Sequence, residues 1–232
     1  MKDCPLTRIK LKSKISAQKL RGGYYTPEEI TKFLSSWAIK TNKDRILEPS
    51  CGDGNFLISV VEKLVSLQAT TKDCSEQISA IELDRKEYNK AIKRLAKKKI
   101  TLKKGNAVNG DFFNYFKKIY KQGKKFDVVI GNPPFIRYQD FPEKHREVAF
   151  SQMNEFGFTP NRLTNIWVPF LSLSSMLLKP KGRLAMVIPA ELFQVNYAGE
   201  TRKFLSNFFS KINIITFKSL VFQGIQQEVV LC

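Results

Sequence analysis

Arg45-Ile46-Leu47-Glu48-Pro49-Ser50-Cys51-Gly52-Asp53-Gly54 carries a short apolar strand into a turn with two glycines. From Asn55 to Leu67 the apolar residues Phe56, Val60, Val61 and Leu64 recur at helical spacing. A strand, a glycine turn and a helix in this order open an α/β fold, because glycine admits positive φ and lets a ligand approach the backbone. About eighty residues later the apolar run Phe126–Gly131 ends in Asn132-Pro133-Pro134-Phe135. That places an amide and a stiff carbonyl at a strand's C-terminal end, where open α/β sheets bind ligands. Each motif alone is weak, since a tight turn needs no ligand and Pro-Pro caps many strands. Pro-Pro alone, however, accounts for neither the asparagine nor the aromatic.

The rest of the chain alternates in the same way. Thr26-Pro27-Glu28-Glu29 predicts a helix start, with Thr26 as N-cap and Ile30, Phe33, Leu34 and Trp37 as its apolar positions. Further strands are expected at Ile78–Leu83, Ile100–Lys104 and Arg183–Ile188. Helices fall around Tyr88, Ile92 and Leu95, at Ile166–Leu178 and at Ala198–Phe209. Ile212–Val221 and Gln227–Leu231, joined through Gln223-Gly224, predict a hairpin that adds one antiparallel strand. The expected architecture is a seven-stranded, mostly parallel α/β sheet with helices on both faces. Residues 136–162 are expected to form one long irregular loop, and residues 1–21, with seven basic residues and one acid, a basic arm.

Acids follow three successive strands: Glu48 after the first, Glu82 and Asp84 after the second, Asp111 before Phe112-Phe113 after the third. They suit ribose hydroxyls and an adenine's amino edge, and they oppose a pyrophosphate. A cationic, phosphate-free nucleoside such as S-adenosyl-L-methionine fits. At the later motif, the Asn132 side-chain oxygen and the Pro133 carbonyl would accept hydrogen bonds from a planar amine, freeing its lone pair for attack. Pro133 and Pro134 restrict φ and fix that carbonyl, while Phe135 offers a face for a base and for developing positive charge. Methyl transfer to an exocyclic amine is the chemistry that joins the two sites.

The composition is that of a soluble globular chain of 232 residues with 43% hydrophobic residues, but Lys plus Arg number 39 against 21 acids, a net charge of +18. Such a balance suits a polyanion, although Lys-rich surfaces are also common without one. Four cysteines without C-x-x-C spacing and one histidine predict no metal site and no disulfide framework. Cys51 reads as a packed thiol and His145 as a surface loop residue. No apolar stretch is long enough to span a membrane, so the cytoplasm is expected. Arg137, Arg146 and Arg162 are the candidate contacts to DNA phosphates.

Taken in order, the motifs resemble the gamma group of bacterial restriction–modification methyltransferases, which act on the 6-amino group of adenine. Gly22–Pro27 is similar to their N-terminal motif, with Tyr25, Thr26 and Pro27 against the methionine part of the cofactor. Leu47–Leu57 matches the main cofactor motif, which implicates Glu48, Pro49, Ser50, Gly52, Gly54 and Phe56. Ile81–Asp84 matches the ribose motif (Glu82, Leu83), Gly110–Phe112 the adenine motif (Asp111, Phe112), and Asn132–Phe135 the catalytic motif, where Asn132 also meets the cofactor. Leu178–Arg183 with Val187–Pro189 resembles the region of the fifth strand. Val221–Gln223 resembles a late motif whose aromatic, here Phe222, packs on the flipped base opposite Phe135.

The resemblance covers about residues 21–232 and implies a Rossmann-like class I S-adenosylmethionine-dependent methyltransferase domain acting on double-stranded DNA, with a bacterial cytoplasmic location. Relatives of this group carry a target-recognition domain after the catalytic domain, so residues 1–232 are expected to be either a catalytic fragment or a chain whose recognition comes from a partner. Recognition is then expected from a C-terminal domain or a separate specificity subunit, with a cognate endonuclease as a further partner. Two other classes share features: an RNA guanine or protein glutamine methyltransferase, and a non-catalytic DNA-binding or assembly subunit that keeps the fold.

Overall fold

The computed structural model describes residues 25–217 and 228–232. Helix α1 (Glu28–Ala38) leads into β1 (Ile46–Glu48), α2 (Asn55–Ser66), α3 (Thr71–Gln77), β2 (Ile78–Glu82), α4 (Arg85–Lys97) and β3 (Ala107–Asn109). Then come α5 (Phe112–Lys121), β4 (Phe126–Gly131), α6 (Glu143–Glu155), α7 (Trp167–Ser175), β5 (Leu178–Pro189), α8 (Gly199–Phe208), β6 (Ile215–Thr216) and β7 (Val229–Leu231). The sheet order is β3-β2-β1-β4-β5-β7-β6. All neighbours pair in parallel except β7, which is antiparallel to both β5 and β6.

Period-two alternation divides the strands between two cores. Leu47, Ile81 and Val129 point into one, shared with Phe112, Phe113, Phe116, Trp167 and Leu171. Ile46, Ala80, Val128 and Ile130 point into the other, against Ile30, Leu34, Leu57, Val61 and Leu95. Strands buried on both faces read as continuous apolar runs, which is why β4 was legible without alternation. Burying the α1–α2 interface requires a polar link as well: the hydroxyls of Thr31 and Ser59 lie 2.7 Å apart inside it.

Several expectations change. The third strand is Ala107–Asn109 and not Ile100–Lys104. Ile100 and Leu102 are buried without strand pairing, and the Lys103 N–H donates to the Ser75 carbonyl, so their apolar character reflects packing under α3. Residues 136–162 contain a thirteen-residue helix, α6, whose buried side chains are only Ala149, Gln152 and Met153. That is too few apolar positions to show a period. Thr26 does not cap α1; Pro27 occupies the N-cap without a side-chain bond, and the Thr26 hydroxyl is engaged elsewhere. Phe33 and Trp37 are exposed at 47% and 38%, lining a surface groove with Leu205, Phe209 and Ile215. The basic arm 1–21, the Gln223-Gly224 turn and Phe222 lie outside the described residues. Among the described residues no helix is long and apolar enough to cross a membrane, and none form a cluster suited to a metal ion.

Candidate active site

The C-terminal ends of β1, β2 and β4 open into a cavity of about 830 Å³. Glu48, Pro49, Ser50, Gly52 and Phe56 enter its wall from β1 and the turn into α2. Glu82 and Leu83 come from the end of β2, Asp111 and Phe112 from the start of α5, and Asn132 and Pro134 from the end of β4. Tyr25 and Thr26 close it from the N-terminal segment, which is anchored where the Asn55 side chain donates to the Thr26 carbonyl at 3.1 Å. The rim carries Glu87 and Lys90: the Tyr25 hydroxyl donates to Glu87 at 3.0 Å and receives the Lys90 ammonium at 3.2 Å.

The glycine turn folds around a carboxylate. The Gly52 N–H donates to Glu82 Oε2 at 2.8 Å and the Asp84 N–H to Oε1 at 2.7 Å. In dinucleotide folds such a turn amide points at a phosphate oxygen; here Glu82 takes it. A carboxylate accepts about four hydrogen bonds, so each Glu82 oxygen keeps capacity for a hydroxyl. Asp84, by contrast, is the N-cap of α4, its Oδ1 accepting from the N–H groups of Lys86 and Glu87.

Burial pushes the Glu48 carboxyl well above the usual carboxylate range, and the charges of Glu82 and Asp53 push it further. Glu82 is raised by burial against the pull of its two backbone donors, and Asp53 by burial against Arg94, 2.7 Å away. A cationic guest beside these three carboxyls would favour their ionised form, which burial alone opposes. Cys51 is likewise pushed well up, by burial first and by Glu48 and Glu82 next, so its thiol stays protonated and is no nucleophile.

Asn132 is held from two directions. Its side-chain Nδ2 donates to the Thr26 hydroxyl at 3.2 Å, and its carbonyl accepts from the Ser50 hydroxyl at 3.3 Å. The first bond fixes the rotation of the amide and so the direction of its oxygen. Both partners belong to segments predicted to hold a cofactor, so the two motifs share a wall.

Some predicted residues sit beside the cavity and not in its wall. Gly54 packs against α4, Pro27 caps α1, Pro133 is buried, and Phe135 is half-buried against both cores. Arg137 and Arg162 are exposed. Arg146 is not an outward-reaching side chain: its guanidinium lies 4.1 Å from the Tyr138 ring centre and donates to the carbonyls of Tyr138 and Phe141. It braces the loop that follows Asn132–Phe135. Sequence reasoning missed Phe141 and Pro142 in that loop, and Phe170 of α7, stacked on Phe112 at 5.0 Å. The chain has 18 phenylalanines, more than a core of this size needs, but nothing in the local pattern assigns Phe170 among them to a wall.

The sheet order and a cavity at the strand ends define a class I S-adenosylmethionine-dependent methyltransferase fold. A Listeria monocytogenes protein described as a member of that class superposes with a TM-score of 0.66 at 19% identity, over 89% of this chain and 59% of its own. A DrdV–DNA complex superposes with a TM-score of 0.73 at 16% identity, over 93% of this chain and 26% of its own. Residues 12–231 match the family model of the N-6 DNA Methylase proteins, and the chain belongs to that family. Type II methyltransferase M.HincII of Haemophilus influenzae is 27% identical over 211 residues, which cover 90% of this chain and 36% of the relative. The chain thus spans about a third of the length of the curated relatives it matches.

Proposed function

We propose that this chain is the catalytic domain of a gamma-group restriction–modification methyltransferase that methylates the 6-amino group of adenine in double-stranded DNA. The observation that carries this is the double attachment of Asn132 to Thr26 and Ser50, which ties the amine-polarising amide to the wall of the nucleoside cavity. When bound, S-adenosyl-L-methionine supplies an electrophilic methyl group on a sulfonium. Glu48 faces that cationic part as an acidic counter-group, Glu82 accepts from the ribose hydroxyls, and Asp111 with Phe112 holds the adenine. Asn132 and the Pro133 carbonyl accept the hydrogens of the target amine and orient its lone pair; the proton lost on transfer leaves through this pair of acceptors. Phe135 and Phe222 stack on the flipped base, and the exposed Arg137 and Arg162 meet DNA phosphates.

Sequence recognition comes from a C-terminal target-recognition domain or a separate specificity subunit, with a cognate endonuclease acting beside it in the bacterial cytoplasm. In the complete enzyme, Asn132→Ala is expected to lower methylation of unmethylated DNA by at least about a thousandfold while calorimetry finds cofactor affinity within a few fold of wild type. Unchanged turnover removes Asn132 from this role. Parallel assays with structured RNA and a release-factor-like protein test the other planar-nitrogen substrates, and nucleoside mass spectrometry reads the product. The isolated chain is expected to bind S-adenosyl-L-methionine and to methylate DNA poorly.

A further inference from the structure

His145 has no part in the chemistry described above, and it is not the surface loop residue the sequence predicted. It stands in the first turn of α6 with Nδ1 2.8 Å from Asp111 Oδ2, its side chain 23% exposed and that of Asp111 only 6%. Asp111 is doubly engaged: Oδ1 accepts the Asn114 N–H at 2.9 Å as N-cap of α5, and Oδ2 faces the imidazole. The helix of His145 also carries Glu143, Lys144, Arg146 and Glu147. The Phe141 ring centre lies 6.1 Å away, and the Pro142 carbonyl accepts the His145 N–H at 3.0 Å. On its own helix Arg146 turns to Tyr138 and to Glu143, 3.7 Å away. From α7 the ring that borders Asp111's side of the cavity is Phe170. Asp111, Phe141 and Pro142 all line the cavity, so the imidazole stands behind its adenine end.

We propose that His145 is a positioning residue for base recognition: it sets the orientation of the Asp111 carboxylate and, through its proton, how strongly that carboxylate accepts from an adenine amino group. This rests on Asp111 lying at the adenine end of a nucleoside cavity. A neutral imidazole leaves the full carboxylate charge to the ligand. An imidazolium pairs with that charge and weakens the carboxylate as an acceptor, because a hydrogen bond to an ionised group draws its extra strength from the charge. Affinity for an adenine ligand is therefore higher with the imidazole neutral than with it protonated, and so higher at alkaline than at acid pH.

Adenosine is the probe, because it lacks the ammonium, carboxylate and sulfonium that would respond to Glu48. For the 232-residue chain, calorimetry is expected to find adenosine binding about fivefold tighter at pH 8 than at pH 5.5. His145→Gln, which keeps a donor but cannot titrate, should give a profile clearly flatter than that of the wild type, since any contribution of Glu82 at the ribose is common to both proteins. His145 is the sole histidine of the chain, so its ring protons report the linkage directly by NMR. Saturating adenosine should lower its midpoint by the same factor that pH changes the affinity. Matching pH profiles in the two proteins, or an imidazole titration that adenosine leaves in place, overturn the proposal and spare the nucleoside cavity. Failure of folded wild-type protein to bind either adenosine or S-adenosyl-L-methionine overturns both.

Discussion

Glu48 is 1% exposed, and its Oε2 meets no hydrogen-bond donor among the described residues. In an unfolded chain a glutamate ionises near 4.3, whereas burial, with Glu82 and Asp53 nearby, keeps the folded one protonated to higher pH. The sign follows from linkage: the unfolded state loses its proton first, so the ligand-free fold loses stability as pH rises from the unfolded value through the folded one. Glu48→Gln keeps the shape and removes the ionisation. Thermal melts without ligand should show the variant more stable at pH 8 by about 2–4 °C, what about 1 kcal/mol is worth at this chain length, with the difference vanishing at pH 4. Its affinity for S-adenosyl-L-methionine should fall at least about tenfold, as expected when a charged partner is lost. The residue scale is also where the sequence was most informative. Glu48, Glu82, Asp111 and Asn132 declared themselves as polar groups at strand ends. Thr26 was misread because threonine before proline and two glutamates looks like a cap, and only the fold brings Asn132 across to its hydroxyl.

Among the elements, the turn between β1 and α2 sets two glycines different tasks. At Gly54, φ is +91°, and an added Cβ would lie 3.0 Å from the Ala91 Cα of α4. Gly54→Ala combines left-handed strain with backbone collision and should cost about 2–4 kcal/mol in denaturant unfolding. At Gly52, φ is +53° with nothing within 4 Å of an added Cβ. Gly52→Ala should cost only about 1–2 kcal/mol in stability and show its larger effect on cofactor affinity, since the methyl enters the cavity wall. Equal losses of stability would mean that α4 moves aside at Gly54. The same scale explains which elements were hidden. Strand β4 and helix α2 bury long apolar runs and were readable. Strand β3 is three residues long with no fully buried side chain, and α6 buries a glutamine that donates to the Phe113 carbonyl, so neither carries a hydrophobic period.

For the whole molecule, the net charge of +18 gives a general attraction to a polyanion, but the three candidate arginines divide by structure. Arg137 and Arg162 are exposed, whereas Arg146 holds the backbone of the loop. Alanine at Arg137 or Arg162 should lower the slope of log affinity for duplex DNA against log salt by about 0.9 each, as for one phosphate contact. Alanine at Arg146 should instead lower the melting temperature, because two loop carbonyls lose their donor. An unchanged slope would move the phosphate track elsewhere on the surface. Neither the sheet order nor the pairing of Asp111 with His145 was legible beforehand, because both depend on contacts between distant segments. The bond from the Gly52 amide to Glu82 has a consequence for life inside a cell. ATP and its relatives offer the same purine and sugar, yet their charged tails would meet buried carboxylates where other folds present a free amide. The most abundant adenine compounds are therefore poor competitors, and the pocket stays available to the scarcer methyl donor.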